Sequence, residues 1–188
     1  MRRDTINIFI LDPDPITCAQ YHCDKHVVKM CVEYAQLLST AHRVIDGNES
    51  LSLSDERENI IYKVAHKNHP SAVWTRQSRK NYAWLSLMWR SLLREYTLRY
   101  GKIHKSSELV FALSQVPTKL LNKTWSDPPQ AMPDECKISN SSVQAYRQYY
   151  VMKKNTFAKW TKRPIPKWYT NGVMDLTILS QQVQGVHD

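Results

Sequence analysis

Glycine is nearly missing from this chain, with four residues in 188. Glycine loops that cradle phosphate, tight hairpins and closed barrels all need residues free to take positive φ, so their scarcity argues against each and favours helices. Cysteine is equally scarce at four residues. Cys18, Cys23, Cys31 and Cys136 form no disulfide framework, and three fall inside helical patterns; reduced, buried thiols in a cytoplasmic protein are expected. No apolar run is long enough to cross a membrane. Asp12, Asp14 and Asp24 interrupt any secretory leader near the start. Acidic residues are outnumbered, 17 Asp and Glu against 26 Lys and Arg, for a net charge of +9. From Lys153 to Tyr169 there is no acid at all. A basic chain of this size points to nucleic acid or phosphorylated small molecules as partners, or to an acidic surface.

Length suits one domain with one core. The pattern predicts an all-α fold: a single helical bundle over 1–172 with an extended N-terminal arm and long irregular loops, followed by a tail over 173–188. Residues 6–11 are apolar and β-branched, but no second strand is evident, so they are expected to lie as an arm on the helices. Asp14 before Pro15 marks a short helix to about Cys23, by its carboxylate cap and a first residue that needs no N–H. Asp24 is expected to cap a helix to about Val44. Ser54 would cap a third to about Ala65, with Asp55, Glu56 and Glu58 in its first turn. Ser71 would cap the longest, 72–100, closed by Gly101. A short helix starting after Ser106 or Ser107, a long loop over 116–140 and a helix from Ser141 or Ser142 to about Trp160 follow. Residues 161–172 should be extended, held by Pro164 and Pro166. A weak amphipathic helix or frayed end should follow from Val173.

Chemistry concentrates between His22 and Arg43. Val27, Val28, Cys31, Val32, Ala35, Leu38 and Ala41 recur at helical spacing and should face the core. His26, Lys29, Glu33, Gln36 and Thr40 share another face. Asp24, His26, Lys29 and Glu33 are the candidate catalytic residues, since an amine beside a carboxylate can be tuned for nucleophilic or acid–base work. A solvated helix face with one Lys–Glu pair would look the same in sequence. Cys18, His22 and His26 follow at four-residue steps, but no Cys-x-x-Cys pair supports a zinc site; no metal and no cofactor are expected.

Three further groups suit nucleic acid. Asn68 and His69 stand in a turn before a helix start, and Arg76, Arg79 and Lys80 continue a basic face from it, an arrangement that suits phosphate. Arg163, Lys167, Trp168 and Tyr169 interleave cations with flat aromatic faces. Tyr146, Tyr150 and Phe157, at helical spacings, are assigned to packing. In the long loop Gln130 could read a base edge.

The runs Asp12-Pro13-Asp14, Asp24-Lys25-His26-Val27-Val28-Lys29-Met30, His69-Pro70 and Gln130-Ala131-Met132-Pro133 resemble an uncharacterised protein family of tailed phages and large DNA viruses. More distantly, the chain is similar to the phage pyrimidine-dimer DNA glycosylases. Ile6-Asn7-Ile8 leading through Tyr21 to Val27, the basic helix after His69, and Arg163-Pro164 followed by Trp168-Tyr169 and Gly172 carry that likeness. The resemblance implies a small all-helical base-excision enzyme in the cytoplasm, the host's if phage-encoded, acting at the base–sugar bond of damaged or modified DNA, with an associated lyase step. In that family the nucleophile is an α-amine exposed when the initiator methionine is removed. Here Arg2 follows Met1, and so bulky a second residue is expected to leave Met1 in place. The family's catalytic glutamate falls near Cys23, Asp24 and Lys25, none of them a glutamate. Lys29 could then serve as nucleophile, with Asp24 or Glu33 stabilising a sugar cation. An enzyme working on free or modified nucleotides, or a non-catalytic nucleic-acid-binding or anti-defence protein, would fit the same residues. Oligomeric state is open.

Overall fold

The structure, a computed structural model, describes residues 6–184. Met1 and Arg2, on which the question of the α-amine turns, lie outside the described residues, as do 185–188 of the expected tail. Among those described there are eight α-helices and no strand. They are α1 (Pro15–Tyr21), α2 (Asp24–Asp46), α3 (Arg57–Ile60), α4 (Pro70–Thr75), α5 (Arg79–Tyr100), α6 (Val110–Ser114), α7 (Ser142–Lys153) and α8 (Lys167–Gln184). Short 3-10 turns precede α6 and interrupt the long loop at Asp134–Cys136.

α5 is the centre, packing against both α1 and α2. Trp89 is fully buried there and its indole N–H donates to the Cys31 carbonyl of α2 at 2.9 Å. Residues 6–11 are extended and buried beneath the helices, as an arm. An extended segment without a neighbouring strand must satisfy its backbone elsewhere. Here Phe9 N–H donates to the Tyr34 hydroxyl (3.1 Å), Leu11 N–H to the Cys18 sulfur (3.3 Å), and Arg147 Nε to the Leu11 carbonyl (2.8 Å). A single apolar cluster joins this arm to α2, α5, α7 and residues as far as Tyr169.

Several helix boundaries differ from expectation, each for a local reason. The expected 72–100 helix is two. Ser78 accepts from Asn81 N–H at 3.1 Å, while Asn81 Nδ2 donates to the Trp74 carbonyl at 3.1 Å. Those side chains offer the backbone an alternative to the helical ladder and set a corner at 76–78. The expected 54–65 helix shrinks to one turn. The buried Arg43 guanidinium takes the carbonyls of Glu58, Ile61 and Tyr62 and the Glu58 carboxylate. Carbonyls drawn to a buried cation are lost to a helix. α7 ends at Lys153 rather than Trp160, and α8 begins at Lys167, before Val173, because Pro166 supplies the start signal: its carbonyl receives Tyr169 N–H (2.9 Å). α8 therefore crosses the expected 172/173 boundary without a break. Gly101, at φ 67°, closes α5 as expected.

Candidate functional site

The α2 helix divides its faces by burial. Val27, Met30, Cys31, Tyr34, Ala35, Leu37, Leu38 and Ala41 are buried, while Val28 is 43 % exposed and leaves the expected stripe. Of the second face, Lys29 is exposed and Gln36 half-buried, whereas His26 and Thr40 are buried. Thr40 is occupied with the backbone of Ala65, accepting and donating at 3.1 Å. His26 sits among Phe9, Tyr150 and Phe157, its Nδ1 2.5 Å from the Tyr150 hydroxyl. Burial holds its pKa well below the ordinary histidine value, with smaller contributions from His22, Lys154 and Lys29, so the ring is neutral. Lys29 and Glu33, one turn apart, form an ion pair with Nζ 3.2 Å from Oε1; the Lys29 side chain is 40 % exposed and Glu33 17 %. This is an accessible amine against a mostly buried carboxylate.

Asp24 lies elsewhere. It is the first residue of α2, not its cap, which is Cys23 without a side-chain bond. It stands nine positions before Glu33, ~13 Å along a helix. Its carboxylate receives the N–H of Thr161 (3.0 Å), the hydroxyl of Thr161 (2.7 Å) and Arg99 Nη1 (3.0 Å). Arg99, its side chain fully buried, also binds Glu95 and the carbonyls of Gln20 and His22. Arg163 completes the knot with a bidentate pair on Glu95, at 3.1 and 2.5 Å. Two arginines and two acids thus fasten the start of α2 and the 160–163 segment to the last turns of α5.

The remaining sequence candidates are distributed over two regions. Around the α4–α5 corner, Asn68 and Lys80 are exposed. His69 caps α4, its Nδ1 accepting Ser71 N–H at 3.1 Å, and burial followed by the nearby His66 lowers its pKa. Arg76 is half-buried, its pKa lowered by burial, and its Nη1 is inaccessible with no hydrogen-bond partner. A buried donor left unpaired costs ~1–3 kcal/mol, which singles out Arg76 among the cations. Arg79 reaches the Pro117 carbonyl at 3.5 Å and its N–H holds the Leu121 carbonyl at 3.0 Å. Gln130 clamps the loop, donating to the Ile138 carbonyl (2.6 Å) and accepting its N–H (3.0 Å). At the other end, Lys167 is exposed, Tyr169 is buried and Trp168 is half-buried, with the Arg147 guanidinium 5.4 Å from its ring centre.

Sequence reading passed over Asn7. It is buried, donates to the Ala131 carbonyl at 2.7 Å, and accepts the Tyr146 hydroxyl at 2.5 Å. An Asn inside an apolar run was the available signal. Among the described residues no group of three or more His, Cys, Asp or Glu could hold a metal ion, and no helix is long and apolar enough to cross a membrane.

No curated protein and no solved structure matches the chain. A family model does, that of the pyrimidine dimer DNA glycosylases, over residues 6–109. The match takes in the buried arm, all of α2 with its Lys29–Glu33 pair, the α4–α5 corner and the whole of α5. Spanning more than half of the sequence, it shows that the chain belongs to the pyrimidine dimer DNA glycosylase family.

Proposed function

We propose that the protein cleaves the bond between base and deoxyribose at a damaged or modified base in DNA, and that Lys29 and Glu33 carry the reaction. The observation that supports this is the 3.2 Å pair itself: an accessible amine beside a largely buried carboxylate, inside the stretch that matches a DNA glycosylase family. In the step we favour, Glu33 takes a proton from the Lys29 ammonium and the freed amine attacks C1′. The C1′–N bond breaks and its electron pair leaves with the base, which is protonated from solvent. Ring opening then gives a Schiff base between Lys29 and the sugar, from which strand cleavage by elimination and hydrolysis by water can follow. Asp24 and His26 take other roles: Asp24 holds the α5 knot, and His26, neutral and enclosed, fills the core.

Arg76, Arg79, Lys80 and Lys167 suit phosphate contacts, in line with the net charge of +9. The protein would then act in the compartment that holds the DNA.

The test is borohydride trapping on ultraviolet-irradiated and base-modified duplexes, together with measurement of released base. A covalent adduct lost in Lys29→Ala, and base release reduced ~10²–10⁴-fold in Glu33→Gln with unchanged melting temperature, is the expected result. Base release without any adduct would replace the amine with a water activated by Glu33. No released base across the panel, with binding of mononucleotides that depends little on salt, would move the substrate to free nucleotides.

A further inference from the structure

We infer that Trp125 is a stacking platform for an unpaired base in the bound DNA; the inference rests on the reading of the protein as a DNA enzyme. Trp125 belongs to the long 116–140 loop and is 36 % exposed. Two other tryptophans hold it from below. Trp74 of α4 meets it edge-on, with ring centres 5.4 Å apart at 90°, and Trp84 of α5 lies 5.5 Å away at 55°. The next residue is fastened three times: Trp74 Nε1 donates to the Ser126 carbonyl (2.8 Å), Ser126 N–H to Asn81 Oδ1 (3.2 Å), and Asn81 Nδ2 to Ser126 Oγ (3.1 Å). A ring fixed in this way loses little freedom on binding, so stacking energy is retained as affinity. Trp74 and Trp84 spend their indole N–H groups on the Ser126 and Pro13 carbonyls. The Trp125 ring is the most accessible of the three, with Trp84 half-buried and Trp74 buried.

Charge decides what would cover it. The loop from Gln115 to Ser126 contains no acid, and α5 has none before Glu95. Arg79 and Lys80 open the helix that carries Trp84, Lys123 stands two positions before Trp125, and none of the three forms an ion pair with a described residue, whereas the neighbouring acids are engaged, Asp12 with Arg147, Asp14 with Thr17 N–H and Asp127 with Ser142 N–H. A flat ring in a loop whose cations have no acid partner is the combination that binds bases along a phosphate backbone. Phe111 is more exposed, at 78 %, but it shares its groove with Asp55, Glu56 and Glu108, the wrong sign for DNA. Position also fits. The same loop runs from Trp125 to Ala131, whose carbonyl holds Asn7 on the buried arm, so the platform is tied to the matched N-terminal core at both ends.

The full-length protein should be compared with Trp125→Ala, Trp125→Phe and Lys123→Ala by fluorescence anisotropy. The probes are a fully paired duplex and the same duplex with one unpaired base, across a salt series. Wild type should prefer the unpaired-base duplex. Trp125→Ala should lose about ten-fold in affinity for it with the salt slope unchanged, and Trp125→Phe should keep most of the preference. Lys123→Ala should weaken both duplexes alike and lower the slope by about one. Wild type that binds both duplexes, with Trp125→Ala matching it on each, overturns the platform and leaves the enzyme reading intact. Wild type that binds neither overturns both.

Discussion

Asp24→Asn separates a fastening role from a chemical one. The substitution keeps the shape of the side chain and lets one oxygen continue to accept from Thr161, but removes the charge opposite Arg99. Arg99 is fully buried and keeps Glu95 and two carbonyls, so it is weakened rather than orphaned. What disappears is a 3.0 Å charge-assisted bond whose acid is 18 % exposed. Such bonds contribute ~1.5–3 kcal/mol. For a chain of this length each 1 kcal/mol moves the melting temperature by ~2–4 °C, so a fall of ~3–12 °C is expected. Denaturant unfolding followed by tryptophan fluorescence gives the free energy, and Trp160, whose indole N–H donates to Tyr21 O beside the knot, reports locally. Base release per folded molecule should match wild type. A variant that melts like wild type yet releases no base would refute this assignment and return Asp24 to the reaction.

Other outcomes follow from burial and backbone. Burial lowers the pKa of His22 and His42 to about 4. The unfolded chain binds protons on these rings below about 6.5 while the folded one does not, so stability is complete above that pH and falls as pH drops towards 4. The loss is on the order of 3 kcal/mol per ring at full extent, and melting curves between pH 7.5 and 4.5 would show it; a flat profile would contradict it. Gly172→Ala places a Cβ 2.8 Å from Val151 Cγ2 and should loosen α8 from α7 by ~1–3 kcal/mol, visible as faster amide exchange in α8. Gly101→Ala meets nothing within 4 Å, so its cost is purely that of φ 67°, ~1–2 kcal/mol in the unfolding free energy.

Much of the fold could be read from the residues because its signals are local. Asp14 with Pro15 starts α1, Ser141 starts α7 and Gly101 ends α5, each within one turn of the residue that causes it. The misreadings have distant causes. Arg43 dismantles a helix whose first turn was well charged for one, from 15 residues away. Asn81 cuts the long helix by reaching back to Trp74, where Ser71 had seemed a sufficient cap. The site behaves the same way. The Lys29–Glu33 pair is an i, i+4 relation and was visible. That Asp24 belongs to Arg99, 75 residues away, and His26 to Tyr150, 124 away, was not, because nothing in the spacing of α2 specifies either partner.

The buried arm has a consequence for how the molecule assembles. Asn7 is closed in by Tyr146 across 139 positions, and Arg147 reaches Leu11 across 136. An all-helical chain usually owes rapid folding to low contact order, but here Asn7 and Leu11 have partners in α7, more than 130 positions along the chain. During synthesis the arm can meet Cys18 and Tyr34 early, but its contacts with Tyr146 and Arg147 cannot form until α7 has left the ribosome. Refolding should therefore be slower than helix content suggests, with the arm settling together with α7.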